Sequence, residues 1–248
     1  MKIFAHRGYS GKYPENTILA FKKALDIGVD GIELDVHKSK DGKLVVIHDE
    51  DIKRTFDGEG LIKDYTLKEL QDFKCKDLKF FNNEECKICT LEDVIELIKN
   101  ENIILNIEAK TDNIHYDLEE DVINLIRKYN IEEKILISSF YHNTIRNFKN
   151  IDDNINYGAL YWCEKDYANE QDIVEHAKKI GVYSINISTE LANKDIVKKA
   201  HENNLKVFVY TVNSEKAMKD MIDYKVDGIF TDFPELMKEI LKSNKIYL

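Results

Sequence analysis

The hydrophobic positions along this chain change period again and again, and that change is its main structural signal. Runs in which apolar residues crowd together or alternate every second position read as strands; runs repeating at every third and fourth position read as helices. A first strand covers residues 3–6 and gives way to a loop of turn residues, Gly8, Ser10, Gly11 and Pro14. Asn16 or Thr17 can cap a helix carrying Leu19, Ala20, Phe21, Ala24 and Leu25, which Gly28 stops. Strand 31–36 follows, then the tight-turn pair Asp41-Gly42 and a returning extended piece over 44–48. After a looser stretch the alternation resumes with helix 90–100, opened by Thr90 and Asp93. Strands at 103–108, 134–138, 155–161, 183–188, 206–211 and 228–231 then take turns with helices at 117–129, 142–148, 172–180, 194–203, 214–224 and 234–241.

With the 44–48 piece set aside this makes eight strands, most of them followed by a helix. That is the rhythm of a (β/α)8 TIM barrel, a fold of the α/β class. A doubly wound open sheet would share the alternation, but no glycine fingerprint for a dinucleotide follows the first strand. Residues 49–90 break the rhythm just after the second strand. They contain a loop at Asp57-Gly58-Glu59-Gly60 and a short helix over 66–73, and too few apolar residues to predict a core of their own. They are expected to be an insertion over one end of a single barrel domain spanning 1–248.

Bulk properties narrow the partners. A net charge of −10 disfavours nucleic acid and anionic membrane surfaces. No run of apolar residues is long enough to predict a membrane span, and residues 1–5 are too short for a signal peptide, so a cytoplasmic location is expected. Cys86-Lys87-Ile88-Cys89 has C-x-x-C spacing without a second pair, which predicts plain thiols rather than zinc.

The candidate chemistry is concentrated at strand ends. In the second strand Ile32, Leu34 and Val36 share one face and Glu33 and Asp35 the other; two carboxylates on one buried face demand a cation or basic neighbours. Both are within reach. His6-Arg7 lies upstream, His48 downstream, and Asn106-Ile107-Glu108-Ala109-Lys110 repeats the pattern of an acid at a strand end. In a barrel the C-terminal strand ends form one mouth, where Ser138-Ser139, Thr211-Val212-Asn213 and Thr231-Asp232 would also fall. Glu33, Asp35 and Glu108 are hard oxygen donors suited to one divalent cation, Mg²⁺ or Ca²⁺. Arg7 can clamp a phosphate as a fork and Lys110 as a point charge. His6 and His48 would be an acid/base pair for phosphodiester cleavage. His37 is read as alternating away from Asp35, and His115, His142, His176 and His201 receive no role.

These motifs, in this order, resemble glycerophosphodiester phosphodiesterases. The likeness rests on His6-Arg7-Gly8, Pro14-Glu15-Asn16-Thr17, Ala20-Phe21 and Gly31-Ile32-Glu33-Leu34-Asp35-Val36. It continues through Asp41-Gly42, His48-Asp49, Asn106-Ile107-Glu108-x-Lys110, Ser138-Ser139-Phe140 and Gly228-Ile229-Phe230-Thr231-Asp232-Phe233-Pro234, and covers nearly the whole chain. The resemblance implies a barrel with a small insertion over its mouth, and a metal-dependent hydrolysis giving glycerol 3-phosphate and an alcohol. It implies Glu33, Asp35 and Glu108 as metal ligands, His6 and His48 as the catalytic pair, and Arg7 and Lys110 as phosphate contacts. Three positions depart from the usual pattern: Ala109 for a larger apolar residue, Tyr210 for Trp, and Cys89 for Pro. The insertion is expected to shape the pocket for the alcohol or glycerol portion. Alternatives are a phosphodiesterase acting on lysophospholipids or releasing a cyclic phosphate, and a non-catalytic glycerophosphodiester-binding protein. The expected partner is a small diester, with no nucleic acid and no stable membrane insertion.

Overall fold

Each barrel strand buries both of its faces, one under helices and one in the lumen, and the register shows what each face holds. The computed structural model describes residues 1–111, 117–163 and 172–246. Its strands are β1 (Lys2–Ala5), β2 (Gly31–Lys38), β3 (Leu44–Val46), β4 (Cys89–Thr90), β5 (Ile104–Ala109), β6 (Ile135–Ser139), β7 (Asn156–Tyr161), β8 (Ser184–Ser188), β9 (Lys206–Tyr210) and β10 (Gly228–Thr231). Among the described residues, all but β3 and β4 are parallel and run in the order β1-β10-β9-β8-β7-β6-β5-β2; the β1–β2 pairing closes the ring. This is the TIM-type barrel expected from the alternation. The 44–48 piece is β3, an antiparallel addition to β2 that in turn carries β4.

The covering helices are α1 (Ile18–Ile27), α3 (Leu91–Ile98), α4 (Glu119–Tyr129), α5 (His142–Ile151), α6 (Ile173–Ile180), α7 (Lys194–Glu202), α8 (Glu215–Tyr224) and α9 (Pro234–Ile246). Their ends follow local chemistry. Thr17 caps α1 by accepting from the Ala20 N–H, and Gly28 ends it in the left-handed region at φ 75°. Thr90 and Asp93 form a full reciprocal capping box on α3. On β2, Ile32, Leu34 and Val36 are fully buried with Phe21, Ala24, Val94, Ile95 and Ile98 in the layer between sheet and helices. Among the described residues, no helix is long and apolar enough to cross a membrane.

The lumen is layered. Its floor is a packed aromatic group, Phe4, Phe208 and Phe230, with ring centroids 5.0–6.2 Å apart and Leu136 alongside. Gly31 makes room for it, since a Cβ there would lie 2.4 Å from the Phe4 ring. One pleat further along, the inward positions become polar: Glu33 stands beside Asn106, Asp35 beside Glu108, and Glu108 beside Ser138.

The stretch between β3 and β4 differs from expectation in one respect. It carries α2 (Leu67–Asp72) and builds a small apolar cluster of its own from Ile47, Ile52, Phe56, Ile62, Leu70, Cys75, Cys86 and Ile88, completed by Val45 of β3. Spread over forty-odd residues these side chains show no periodicity, yet the folded chain collects them under one roof.

The floor gives a direct test. Gly31→Ala forces a methyl against Phe4 and should destabilise the barrel by about 1–3 kcal/mol, the usual scale of overpacking. The readout is the urea midpoint, and an unchanged midpoint would show that Phe4 is not held against β2.

Candidate active site

Strand parity and barrel closure bring the sequence's scattered polar residues to one mouth. A cleft enclosing about 520 Å³ between protein atoms, mouth included, is lined by His6, Arg7, Glu33, His48, Asn106, Glu108 and Lys110 along the arc from β1 through β2 to β5. Phe140, Leu160, Trp162 and Tyr210 line the arc of β6, β7 and β9. One half of the mouth is therefore charged and the other largely aromatic. Among the described residues, none of 49–89 lines this cleft itself, but Asp49, Glu50, Asp51 and Leu61 line an adjoining groove that shares His48 and Lys110 with it.

At the centre of the charged half, donor oxygens of Glu33, Asp35 and Glu108 lie within 4.8 Å of one another, and all three residues are buried. Arg7, in the left-handed region at φ 55°, turns its backbone N–H to donate to Glu33 Oε2 at 2.8 Å. A non-glycine residue held there stores about 1–3 kcal/mol of strain, which the surrounding contacts must offset. The Arg7 side chain places Nε 3.3 Å from Asp35 Oδ2 and donates from Nη1 to Glu15 at 2.9 Å. Asn16 donates to Asp35 Oδ2 at 2.8 Å. Lys110 Nζ lies 2.5 Å from Glu108 and 3.4 Å from Asp35 Oδ1.

These contacts do not satisfy the group. Glu33 Oε1, Asp35 Oδ1 and Asn106 Oδ1 are buried without a hydrogen-bond partner. Burial, then repulsion from Asp35 and Glu108, pushes the Glu33 carboxyl well above the usual carboxylate range, with Arg7 opposing. Asp35 goes the other way: burial would raise it, but Lys110, Arg7 and His48 hold it below that range. Adjacent carboxylates driven in opposite directions mark a site short of positive charge. Hard oxygens with uncommitted lone pairs fit a divalent cation.

The two histidines flank this centre. His6 Nδ1 is 2.7 Å from Asp232 Oδ1, and its Nε2 is 4.0 Å from Glu33. Asp232 is itself fixed by Ser10 Oγ at 2.9 Å and Asn213 Nδ2 at 2.6 Å. On balance its carboxyl is held low by the His6 contact against the effect of burial. His48 Nδ1 lies 2.6 Å from Asp49 Oδ1. Since a carboxylate only accepts, each imidazole carries its proton on Nδ1 toward its carboxylate, which leaves Nε2 for exchange.

Some of these partners were out of reach of the sequence. Asp232 and His6 are 226 positions apart and meet only because β10 closes onto β1. Asp49 was readable as the neighbour of His48, and Glu15 from its place in Pro14-Glu15-Asn16-Thr17; Arg54 carried no comparable signal. His37 is a correction. Two residues beyond Asp35, it shares the acidic face rather than opposing it, and its Nε2–H donates to the His48 carbonyl at 3.0 Å. Burial holds its imidazole below the usual range. His142 and His176 instead pack with Tyr161, and His201 contacts Asp227 at 2.8 Å. His115 lies outside the described residues. Ala109 is buried in the layer beneath the helices, and Tyr210 lines the cleft with its hydroxyl donating to the Tyr161 carbonyl at 2.8 Å.

Comparison with known proteins places this geometry in context. The model of the glycerophosphoryl diester phosphodiesterase family matches residues 6–236. A glycerophosphodiester phosphodiesterase of Caldanaerobacter subterraneus subsp. tengcongensis is 41% identical over 97% of this chain and 97% of its own. One from Bacillus altitudinis is 39% identical over 98% and 99%. Among solved structures, an Oleispira antarctica phosphodiesterase in complex with the product sn-glycerol-3-phosphate superposes with a TM-score of 0.86, at 26% identity, over 98% of this chain and 97% of that one.

The strain among the three carboxylates predicts an asymmetric response. In chelator, Glu33→Gln should be at least as stable as the parent, because it replaces the carboxyl whose ionisation burial, Asp35 and Glu108 disfavour. Excess Ca²⁺ or Mg²⁺ should raise the melting temperature of the parent and leave the variant nearly unmoved. Equal shifts for both proteins would show that Glu33 takes no part in holding a cation.

Proposed function

The chain belongs to the glycerophosphoryl diester phosphodiesterase family and is a phosphodiesterase, and from that premise we propose that its cleft hydrolyses glycerophosphodiesters to glycerol 3-phosphate and an alcohol with one divalent cation, Mg²⁺ or Ca²⁺. The whole chain is taken as one barrel domain, residues 49–90 forming its insertion. The observation that carries this reading is the buried trio of Glu33, Asp35 and Glu108 with oxygens left unpartnered. Those three residues would hold the cation. When bound, it supplies polarisation of a phosphoryl oxygen and compensation for charge developing there.

The charge balance supports a phosphodiester as substrate. Arg7 and Lys110 offset two of the trio's three negative charges. With a dication in place the centre carries one net positive charge, which the single negative charge of a phosphodiester neutralises. Arg7 would meet the phosphate as a planar fork and Lys110 as a point charge. His6 and His48 stand on either side with Nε2 open to exchange. One takes the proton of the attacking oxygen, and the other delivers a proton to the leaving alcohol. The aromatic arc of Phe140, Trp162 and Tyr210 offers carbon-rich surface to the remainder of the diester. The sn-glycerol-3-phosphate bound to the Oleispira enzyme supports the choice of product.

Coupled detection of glycerol 3-phosphate release from several diesters, lysophosphatidylcholine included, tests the reading. Chelation should abolish turnover and added Mg²⁺ or Ca²⁺ should restore it; full activity after exhaustive chelation removes the cation from the mechanism. His6→Ala and His48→Ala should each keep cation binding while losing about 10²–10⁴-fold in rate, the scale of general acid–base catalysis. Near-parental turnover in either variant would exclude that histidine.

A further inference from the structure

Apart from His48, the segment after β3 contributes no side chain to the wall of this cleft, yet one of its residues reaches the site's supports from outside. Arg54 closes a short 3₁₀ turn, Ile52–Arg54, whose first residue is buried in the segment's own apolar cluster and whose start is capped by Asp51. The turn is therefore anchored, and its guanidinium reaches Asp49 and Glu15 from a packed base. Its nitrogens contact two carboxylates at once. Nε is 2.5 Å from Asp49 Oδ2 and Nη2 is 3.2 Å from Asp49 Oδ1. Nη1 is 2.7 Å from Glu15 Oε2 and Nη2 is 2.8 Å from Glu15 Oε1.

Each of those carboxylates has a second client in the cleft. Asp49 Oδ1 accepts from His48 Nδ1 at 2.6 Å, and Glu15 Oε1 accepts from Arg7 Nη1 at 2.9 Å. A half-exposed arginine in a single ion pair adds little to stability. This one makes paired contacts to two acids that otherwise belong to different loops, one following β1 and one following β3. Both carboxyls are held below their usual range, Glu15 and Asp49 each by hydrogen bonds from Arg54 acting against burial. A lysine would bring charge without the planar fork and could not hold both acids in this geometry.

We infer that Arg54 is a positioning residue which sets the orientation of His48 through Asp49 and of Arg7 through Glu15, and so locks the proposed acid/base group and phosphate clamp into one register. It touches no substrate. The inference rests on the roles given above to His48 and Arg7, but its structural half can be read without turnover. It also gives the insertion a function other than lining the pocket: it carries the brace.

The experiment uses the full chain with Arg54→Ala and Arg54→Lys. Hydrolysis of glycerophosphocholine is followed by glycerol 3-phosphate release, with Ca²⁺ affinity and melting temperature measured alongside. Misplacement of a catalytic group by about an ångström lowers rate on the order of 10²-fold. Arg54→Ala is expected to lose about that much in kcat, with Ca²⁺ affinity and melting temperature little changed. Free guanidinium should restore part of the loss, and Arg54→Lys should behave like Arg54→Ala. In parallel, ¹⁵N-labelled histidine spectra should show the hydrogen-bonded Nδ1 proton of His48 in the parent and its loss in both variants, with His6 unchanged. Parental kcat and an intact His48 signal in a folded Arg54→Ala protein would overturn the inference. If the parent itself releases no glycerol 3-phosphate while the His48 signal still depends on Arg54, the functional reading fails and the brace stands.

Discussion

Three carboxylates buried side by side at the mouth of a barrel are the constraint on which the rest of this site depends. Burial and the neighbouring Asp35 and Glu108 disfavour the charged form of Glu33 by more than Arg7 offsets. Nearly every polar group within reach is arranged in response. Arg7 bends into a left-handed backbone conformation to present its N–H to Glu33 and its guanidinium to Asp35, Asn16 donates to Asp35, and Lys110 sits between Asp35 and Glu108. Even so, oxygens remain without partners. A site of this kind is poorly stable by itself and well suited to bind positive charge.

The barrel makes that arrangement tolerable by separating two tasks. The lower lumen is closed by Phe4, Phe208, Phe230 and Leu136, and the outward faces of the strands are apolar and covered by helices. Stability resides in those layers. The polar layer above the floor can then hold strained and repelling groups without endangering the fold. The insertion extends the same division. Its own small apolar cluster fixes the turn that carries Arg54, and the arginine acts on the site only through Glu15 and Asp49.

Much of this was legible in the chain itself. The alternation of periods predicted eight barrel strands and their helices because burial on both faces of a strand and one stripe of a helix leaves a direct imprint on residue order. Thr17, Thr90 and Gly28 were readable as helix ends because capping is local. The gathering of His6, Arg7, Glu33, His48, Glu108 and Lys110 along one cleft follows from two facts visible in sequence, that each lies at or beyond a strand's end and that inward parity repeats every two residues. Parity also shows why His37 was misplaced: it stands two positions from Asp35, and a count of two returns to the same face.

What only the folded chain decided is which distant groups meet. Asp232 supports His6 because the last strand closes onto the first, and Glu15 joins Asp49 through Arg54 because two loops from separate strands converge above the mouth. The apolar residues of the insertion carry no periodic signal and become a cluster only when loops bring them together. Local order therefore determined the elements and the face each side chain takes, since propensity, capping and pleat act over a few residues. Ring closure and loop convergence act across the whole chain, and they selected the distant partners, Asp232 for His6 and Glu15 with Arg54 for Arg7 and Asp49, that hold the proposed catalytic groups.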